Sequence, residues 1–338
     1  MNESIITESI LMDFTTTKDE CGVARHCAKG SFEYFAYVFM HTPIAFLGIF
    51  FNIINIIVFS FGRKRFVAWG SLYVFLLGLS VTDLLCMTIV APYGLIFCLC
   101  EDKYYFANVY IFYIFIPLAN FFATCSVWLT MTMTIDRYIP IKIPSWRKQY
   151  RKKRAKITIT VIIFASAILN APFYFSMRVQ SDGDFMLTEF GTSKGFAIYN
   201  YIRAVLAKYL PILIVIIANT AMGIFLFKRK VKRRVSVNVA GKINPKISER
   251  NIHMKCIAML FCTSSIMVFC HCLEPLAQYP VAMAITQDPC ITYNDLYRAL
   301  VSFITTLETL SYASNFIFYF MCNTVVRKTC LDILKCRL

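Results

Sequence analysis

Seven long apolar stretches constrain this chain more than any other feature. They run over about residues 39–61, 71–99, 105–135, 157–177, 197–227, 254–285 and 296–322. A helix needs about 20 mostly apolar residues to cross a bilayer, and each stretch is long enough. Inside hydrocarbon every backbone N–H and C=O must find a partner within the protein, which favours helices. Only 16% of the 338 residues are charged and 58% are apolar, against about 25% charged in an average soluble domain. A soluble fold could not hide that much apolar surface, and a disordered chain would not carry it. The expectation is an all-α membrane protein, a seven-transmembrane helix bundle. The fourth stretch is the weakest, being short and carrying Ser166, Asn170 and Pro172.

The connections between stretches set the expected orientation. The segments at 61–70, 136–156 and 228–255, with the C-terminal tail, hold 26 of the 35 Lys and Arg, against three acids, Asp136, Glu249 and Asp332. Basic connections stay on the cytoplasmic side, so the N-terminus is expected outside and the C-terminus inside. An even number of spans would spoil this arrangement. The net charge of +16 is therefore read as a topology signal, with anionic lipid as its counterpart and no nucleic acid partner. Residues 1–38 are acidic, with six Asp/Glu against three Lys/Arg, and show no signal-peptide pattern. Asn2 begins the Asn-Glu-Ser sequon, a glycosylation candidate on that outer tail.

Charged groups inside a membrane are costly and mark functional positions by default. Asp83, Glu274 and Glu308 fall within apolar stretches, Glu274 directly before Pro275. The bland alternative is that each is a paired interior residue that only supports packing. Asn52, Asn120, Asn170, Asn219 and Asn315 add polar groups in five stretches. Hydrogen bonds between spans, at roughly 1 kcal/mol each, suffice to explain most of them.

Specific residues carry a resemblance to a family. Asp136-Arg137-Tyr138 ends the third stretch. Asn52 lies in the first, Leu79 to Asp83 forms Leu-x-x-x-Asp in the second, and Pro211 lies in the fifth. Phe269 with Cys272-Leu273-Glu274-Pro275 resembles Phe…Cys-Trp-x-Pro, and Asn315-Phe316-Ile317-Phe318-Tyr319 resembles Asn-Pro-x-x-Tyr. In this order the motifs resemble rhodopsin-class G-protein-coupled receptors over residues 39–335. Phe316 after Asn315, Pro117-Leu118-Ala119-Asn120, Ser126 to Thr130 and Asn170-Ala171-Pro172-Phe173 are similar to invertebrate FMRFamide-type neuropeptide receptors. Nematode chemoreceptor-like receptors share several of these features, so a chemosensory receptor for an environmental molecule is the alternative.

The resemblance implies an outer tail (1–38), a seven-span receptor domain (39–322) and a short cytoplasmic tail with an amphipathic helix (323–338). It implies a multi-pass plasma-membrane receptor, not an enzyme, that binds an extracellular peptide and drives nucleotide exchange on a heterotrimeric G protein. The four His, at 26, 41, 253 and 271, show no metal spacing and no Ser/His pairing. No inverted repeat suggests a transporter. By the same resemblance Asp136 pairs with Arg137 in the inactive state, and Val127, Pro211 and Phe269 form an apolar connector, with Pro275, Asn315 and Tyr319 also in the activation machinery. Asp83, Ser126, Ser311 and Asn315 match a sodium-binding constellation, the only cofactor implied; a hydrated cluster without an ion is the alternative. Lys255 stands where a restraining acid is usual, so basal signalling is expected.

Several departures narrow the reading. Phe112 stands where a half-cystine is usual and residues 173–208 hold no Cys, so the usual outer disulfide is not expected. Cys21, Cys27, Cys98, Cys100 and Cys290 are the outer disulfide candidates, and their odd number allows two bridges at most. A bridge from Cys21 or Cys27 to Cys290 is one option; connectivity stays open. Cys330 and Cys336, beside basic residues, are palmitoylation candidates, with plain reduced thiols as the alternative. Thr324 and Thr329 are the tail's hydroxyls, so arrestin recruitment is expected to be weak and to use Ser236 and Ser248. Ala119 stands at the amine-receptor Asp position and Thr309 at the retinal-lysine position, which argues against a biogenic amine and retinal. The outer end is rich in acids and aromatics, and suits a ligand with a cationic side chain beside an aromatic one. Glu274, Glu308, Tyr113 and Tyr279 are the ligand-binding candidates, with Lys208 as the basic residue available to neutralise one glutamate.

Overall fold

The apolar stretches become helices. In the computed structural model, residues 27–66, 69–99, 104–142, 152–181, 185–236, 245–277, 282, 285–288, 290–291 and 294–335 are described. Six helical spans are long and apolar enough to cross a membrane: α1 (Phe32–Phe61), α2 (Ser71–Leu99), α3 (Tyr105–Ile139), α4 (Arg154–Ser176), α5 (Lys194–Lys228) and α6 (Lys255–Ala277). The seventh stretch divides into α7 (Asp295–Ala313) and α8 (Asn315–Cys322), followed by α9 (Thr324–Leu334). It is less apolar because α7 carries Asp295, Arg298 and Glu308. A two-stranded antiparallel hairpin, β1 (Met177–Val179) and β2 (Phe185–Leu187), follows α4, with Arg178 opposite Met186.

Prolines shape the spans in a regular way. π-helical segments at Phe35–His41, Tyr110–Phe115 and Val205–Tyr209 end two residues before Pro43, Pro117 and Pro211 respectively. A proline ring collides with the carbonyl four residues back and donates no N–H. For these three prolines that carbonyl belongs to Phe39, Tyr113 and Ala207, each inside the π segment. The wider turn makes room for the ring while the chain stays helical. Pro275 acts differently: it lies in a 3₁₀ turn, Glu274–Ala277, that closes α6. Span α6 is described as far as Ala277, and residues 278–281, 283 and 284 of the sixth apolar stretch lie outside the described residues.

Hydroxyls inside the spans mostly bond back to their own helix. Ser80, Thr124, Thr134, Thr263 and Thr306 each donate to the carbonyl four residues earlier. This satisfies the hydroxyl where no water is at hand. On α4 the residues Ile157, Val161, Phe164 and Ile168 are exposed and recur at helical spacing, a stripe suited to lipid.

The largest core cluster joins α1, α2, α3, α6, α8 and α9 through Phe59, Phe75, Leu129, Met259, Tyr319 and Val326. This cluster lies toward the end of the bundle that carries Arg137, called here the basic end. At the opposite end Cys27 is disulfide-bonded to Cys98, tying the residues before α1 to α2. The option of Cys27 with Cys290 is thereby excluded; Tyr37, Tyr93 and Phe97 enclose the Cys27–Cys98 bridge. Cys290 is disulfide-bonded as well. Glu33 and Arg298 pair at 2.6 Å and link α1 to α7.

Candidate functional site

At the basic end, Asp136 and Arg137 lie at the end of α3. Their charged atoms are 3.3 Å apart. Two partners that motif reading does not reveal hold them there. Ser71, the first residue of α2, donates its hydroxyl to Asp136 Oδ2 at 2.9 Å, and Arg137 Nη2 donates to the Trp69 carbonyl at 3.1 Å. Arg137 is thus engaged with the turn leading into α2. Lys255 of α6 donates to Thr324 Oγ1 at 3.0 Å, so the start of α6 is tied to α9 and not to Arg137. Tyr138 is half-buried beside them.

Cys330 faces inward from α9. It packs with Val326 in the main core, and burial pushes its thiol pKa up. An acyl chain on that sulfur would need α9 to roll away from the bundle, so the palmitoylation expectation does not suit Cys330 in this arrangement. Thr329 faces the same way and is buried. Asn2, Cys21, Cys100, Tyr279 and Cys336 lie outside the described residues.

At mid-depth, Asp83 of α2 is fully buried. Ser126 Oγ of α3 donates to its Oδ1 at 2.6 Å, and Asn315 Nδ2, at the start of α8, donates to Oδ2 at 2.7 Å. One carboxylate thereby joins three spans. The Asn315 bond sits at the break between α7 and α8, where Ser314 turns its hydroxyl onto the Ser311 carbonyl at 3.1 Å. That break forms although Phe316 replaces the usual proline. Ser311 is buried, but its hydroxyl makes no recorded bond to Asp83, unlike the other members of the constellation. Asn52 donates to Gly48 and Tyr312 carbonyls, while its Oδ1 and the hydroxyls of Tyr312 and Tyr319 have no hydrogen-bond partner. Orphaned buried oxygens near a carboxylate fit a hydrated pocket or a hard cation.

Next to this cluster the structure corrects the connector. Val127 packs with Ile212, Val215 and Met267. Phe269 is 62% exposed, on the outer face of α6. Two residues turn a helix by about 200°, so if Met267 faces inward Phe269 faces away. Pro211 is buried, and Pro275 is half-buried.

Toward the opposite end, four ionisable groups converge from three spans. Lys208 of α5 pairs with Glu274 Oε1 of α6, and lies 3.3 Å from Glu308 Oε1 of α7. His271, one turn before Glu274, points its Nδ1 at both glutamates, 3.6 Å from Glu274 Oε2 and 3.5 Å from Glu308 Oε1. Both His271 nitrogens and Glu274 Oε2 are buried with no hydrogen-bond partner. Glu308 keeps 21% of its side chain exposed. Sequence reading names the glutamates and Lys208 but passes over His271, whose i, i+3 spacing to Glu274 was the available signal. Nearby, His41 of α1 bridges the Val90 carbonyl and Thr309, at 3.3 and 3.1 Å. Tyr113 accepts a hydrogen bond from the Val179 N–H of β1 at 3.3 Å, which ties α3 to the hairpin.

Comparison with known proteins bears on what such an arrangement does. A family profile described as 7 transmembrane receptor (rhodopsin family) matches residues 52–325. A probable G-protein coupled receptor of Caenorhabditis elegans is 24% identical over 89% of this chain and 70% of its own length. A tachykinin-like peptides receptor of Drosophila melanogaster is 29% identical over 55% of the chain and 38% of its own length. A D(2)-like dopamine receptor of Takifugu rubripes is 22% identical over 68% and 46%.

Proposed function

The chain belongs to the rhodopsin family of seven-transmembrane receptors, and on that footing we propose that it is a plasma-membrane receptor for an extracellular peptide with a cationic side chain, of the FMRFamide-like class ending in Arg-Phe-amide. The N-terminus lies outside in this reading. The cluster of Lys208, Glu274, Glu308 and His271 carries it. Two carboxylates face one ammonium, and Glu308 is partly exposed. A ligand guanidinium can take over the carboxylate that Lys208 holds loosely, by charge-assisted hydrogen bonds. Tyr113 and its aromatic neighbours offer faces for the adjoining ring. Ala119 in the amine-receptor position speaks for a peptide over a small amine, and so does the likeness to a tachykinin-like peptides receptor.

Ligand engagement between α5, α6 and α7 would repack Val127, Ile212, Val215 and Met267 and swing the start of α6 outward. Arg137 would then leave Asp136 and the Trp69 carbonyl for a heterotrimeric G protein. Such a switch between two packed arrangements is what a receptor needs in order to bias an equilibrium from a distance. Asp83 and Ser126 would hold a sodium ion in the resting state, supplying the counter-charge that the neutral partners of Asp83 do not. The test is a panel of amidated peptides on cells expressing the receptor, repeated with Glu274→Gln and Glu308→Gln. An active peptide that keeps full potency when its Arg becomes Ala refutes the charge pairing. Inactivity of every peptide at micromolar dose favours a chemosensory ligand.

A further inference from the structure

The same cluster has a geometry that an arginine side chain does not require. His271 Nδ1 lies 3.6 Å from Glu274 Oε2 and 3.5 Å from Glu308 Oε1. These separations are too long for hydrogen bonds. They are close to the edge of a tetrahedron built on metal–ligand bonds of about 2.0–2.2 Å, which is roughly 3.4 Å. One ligand atom from each of the three residues falls within 4.8 Å of the others. His271 is 1% exposed and Glu274 4%, and the atoms they aim at this point have no hydrogen-bond partner. Buried polar atoms left unmatched are costly, which calls for a further occupant.

From this we infer that His271, Glu274 and Glu308 form a binding site for a divalent transition-metal ion, zinc in the first instance, competing with Lys208 for the glutamates. Neutral imidazole with two carboxylates is a donor set for a borderline cation, whereas calcium and magnesium prefer oxygen alone. The partly exposed side of Glu308 leaves a fourth position for water or a ligand atom. Charge supports the exchange. A divalent ion that displaces the ammonium from between the two carboxylates balances both of them. Lys208 has a long flexible stem and can retract. The inference uses the carboxylates assigned above to a cationic ligand, but nothing of that ligand's chemistry.

The test uses the full-length receptor in lipid nanodiscs, titrated with Co²⁺ and then with Zn²⁺. The expected result is saturable visible ligand-field absorption from Co²⁺, without the near-ultraviolet band of a cobalt thiolate, displaced by Zn²⁺. The thiolate band separates this site from the free cysteines, such as exposed Cys272. His271→Gln and Glu308→Gln should each weaken binding roughly tenfold or more, since even changes outside the ligand sphere cost that much. Lys208→Met removes the competing cation and keeps every ligand, so it should bind Zn²⁺ more tightly and gain more thermal stability from it than the unmodified receptor. Absorption of thiolate type alone, equal affinity in His271→Gln and the unmodified receptor, or no tightening in Lys208→Met overturns the inference. Peptide responses measured in the presence of a chelator test the peptide reading separately: their absence with zinc binding intact sinks that reading alone, and their presence without zinc binding sinks the metal site alone.

Discussion

Ser71→Ala should release Arg137 and raise ligand-independent signalling. Ser71 Oγ lies 2.9 Å from Asp136 Oδ2, and both residues are buried. The other partner of that carboxylate, Arg137, stands at 3.3 Å, longer than a tight charge-assisted bond. A hydrogen bond to a charged group contributes about 1.5–3 kcal/mol. Arg137 still faces the carboxylate when the hydroxyl is removed, so the lower figure is appropriate. At about 1.4 kcal/mol the resting arrangement loses roughly tenfold against the active one. If the active form is about 1% of the unliganded receptor, it becomes about 10%, within the range of ordinary two-state equilibria. The assay is nucleotide exchange on purified G protein by receptor in nanodiscs without ligand, at matched receptor amounts. Ser71→Thr retains the hydroxyl and should stay near the unmodified rate. Basal exchange by Ser71→Ala at or below the unmodified rate would refute the role given to this bond.

Met267→Ala should destabilise the receptor and blunt its maximal response, and Phe269→Ala should do neither. Buried Met→Ala changes cost about 2–5 kcal/mol in soluble cores. The part due to transfer from water, about 0.8 kcal/mol per methylene, is missing against lipid, which leaves about 1–2 kcal/mol for Met267. Phe269, already outside, should stay within about 0.5 kcal/mol; equal thermal shifts for the two variants would contradict the connector drawn here. Cys27→Ser opens a closed loop with a sequence separation of 71 residues. Chain entropy sets about 4 kcal/mol as the ceiling on that loss, and membrane insertion lowers it, so a clear drop in unfolding temperature is expected, with the same drop from mild reductant. Asp83→Asn should abolish any dependence of agonist affinity on sodium; indifference to sodium in the unmodified receptor rejects the ion at Asp83.

Sequence alone determines the architecture here, because a bilayer leaves a chain few choices. Apolar length, the basic connections and the impossibility of unpaired backbone in hydrocarbon yield helices and approximate bounds without any contact being known. Motifs with a fixed place along a span, such as Asp83, Asp136-Arg137-Tyr138 and Asn315, are equally legible, since their spacing is a matter of counting. What tertiary structure decided is which side of each helix faces inward and which residues meet across spans. Phe269 matches its motif by position yet points outward, because two residues from Met267 carry it round the helix. The turn at Pro275 could likewise not be told from a kink by composition. Cys27 finds Cys98 and not Cys290, a choice made by where α1 and α2 end. Ser71 has no sequence signal for holding Asp136, 65 positions away. His271 reads as one scattered histidine until α6 turns it toward Glu308 of α7. Local periodicity sets what each helix is made of; the rotation and depth of one helix against another depend on packing among all of them, and there the functional clusters are assembled.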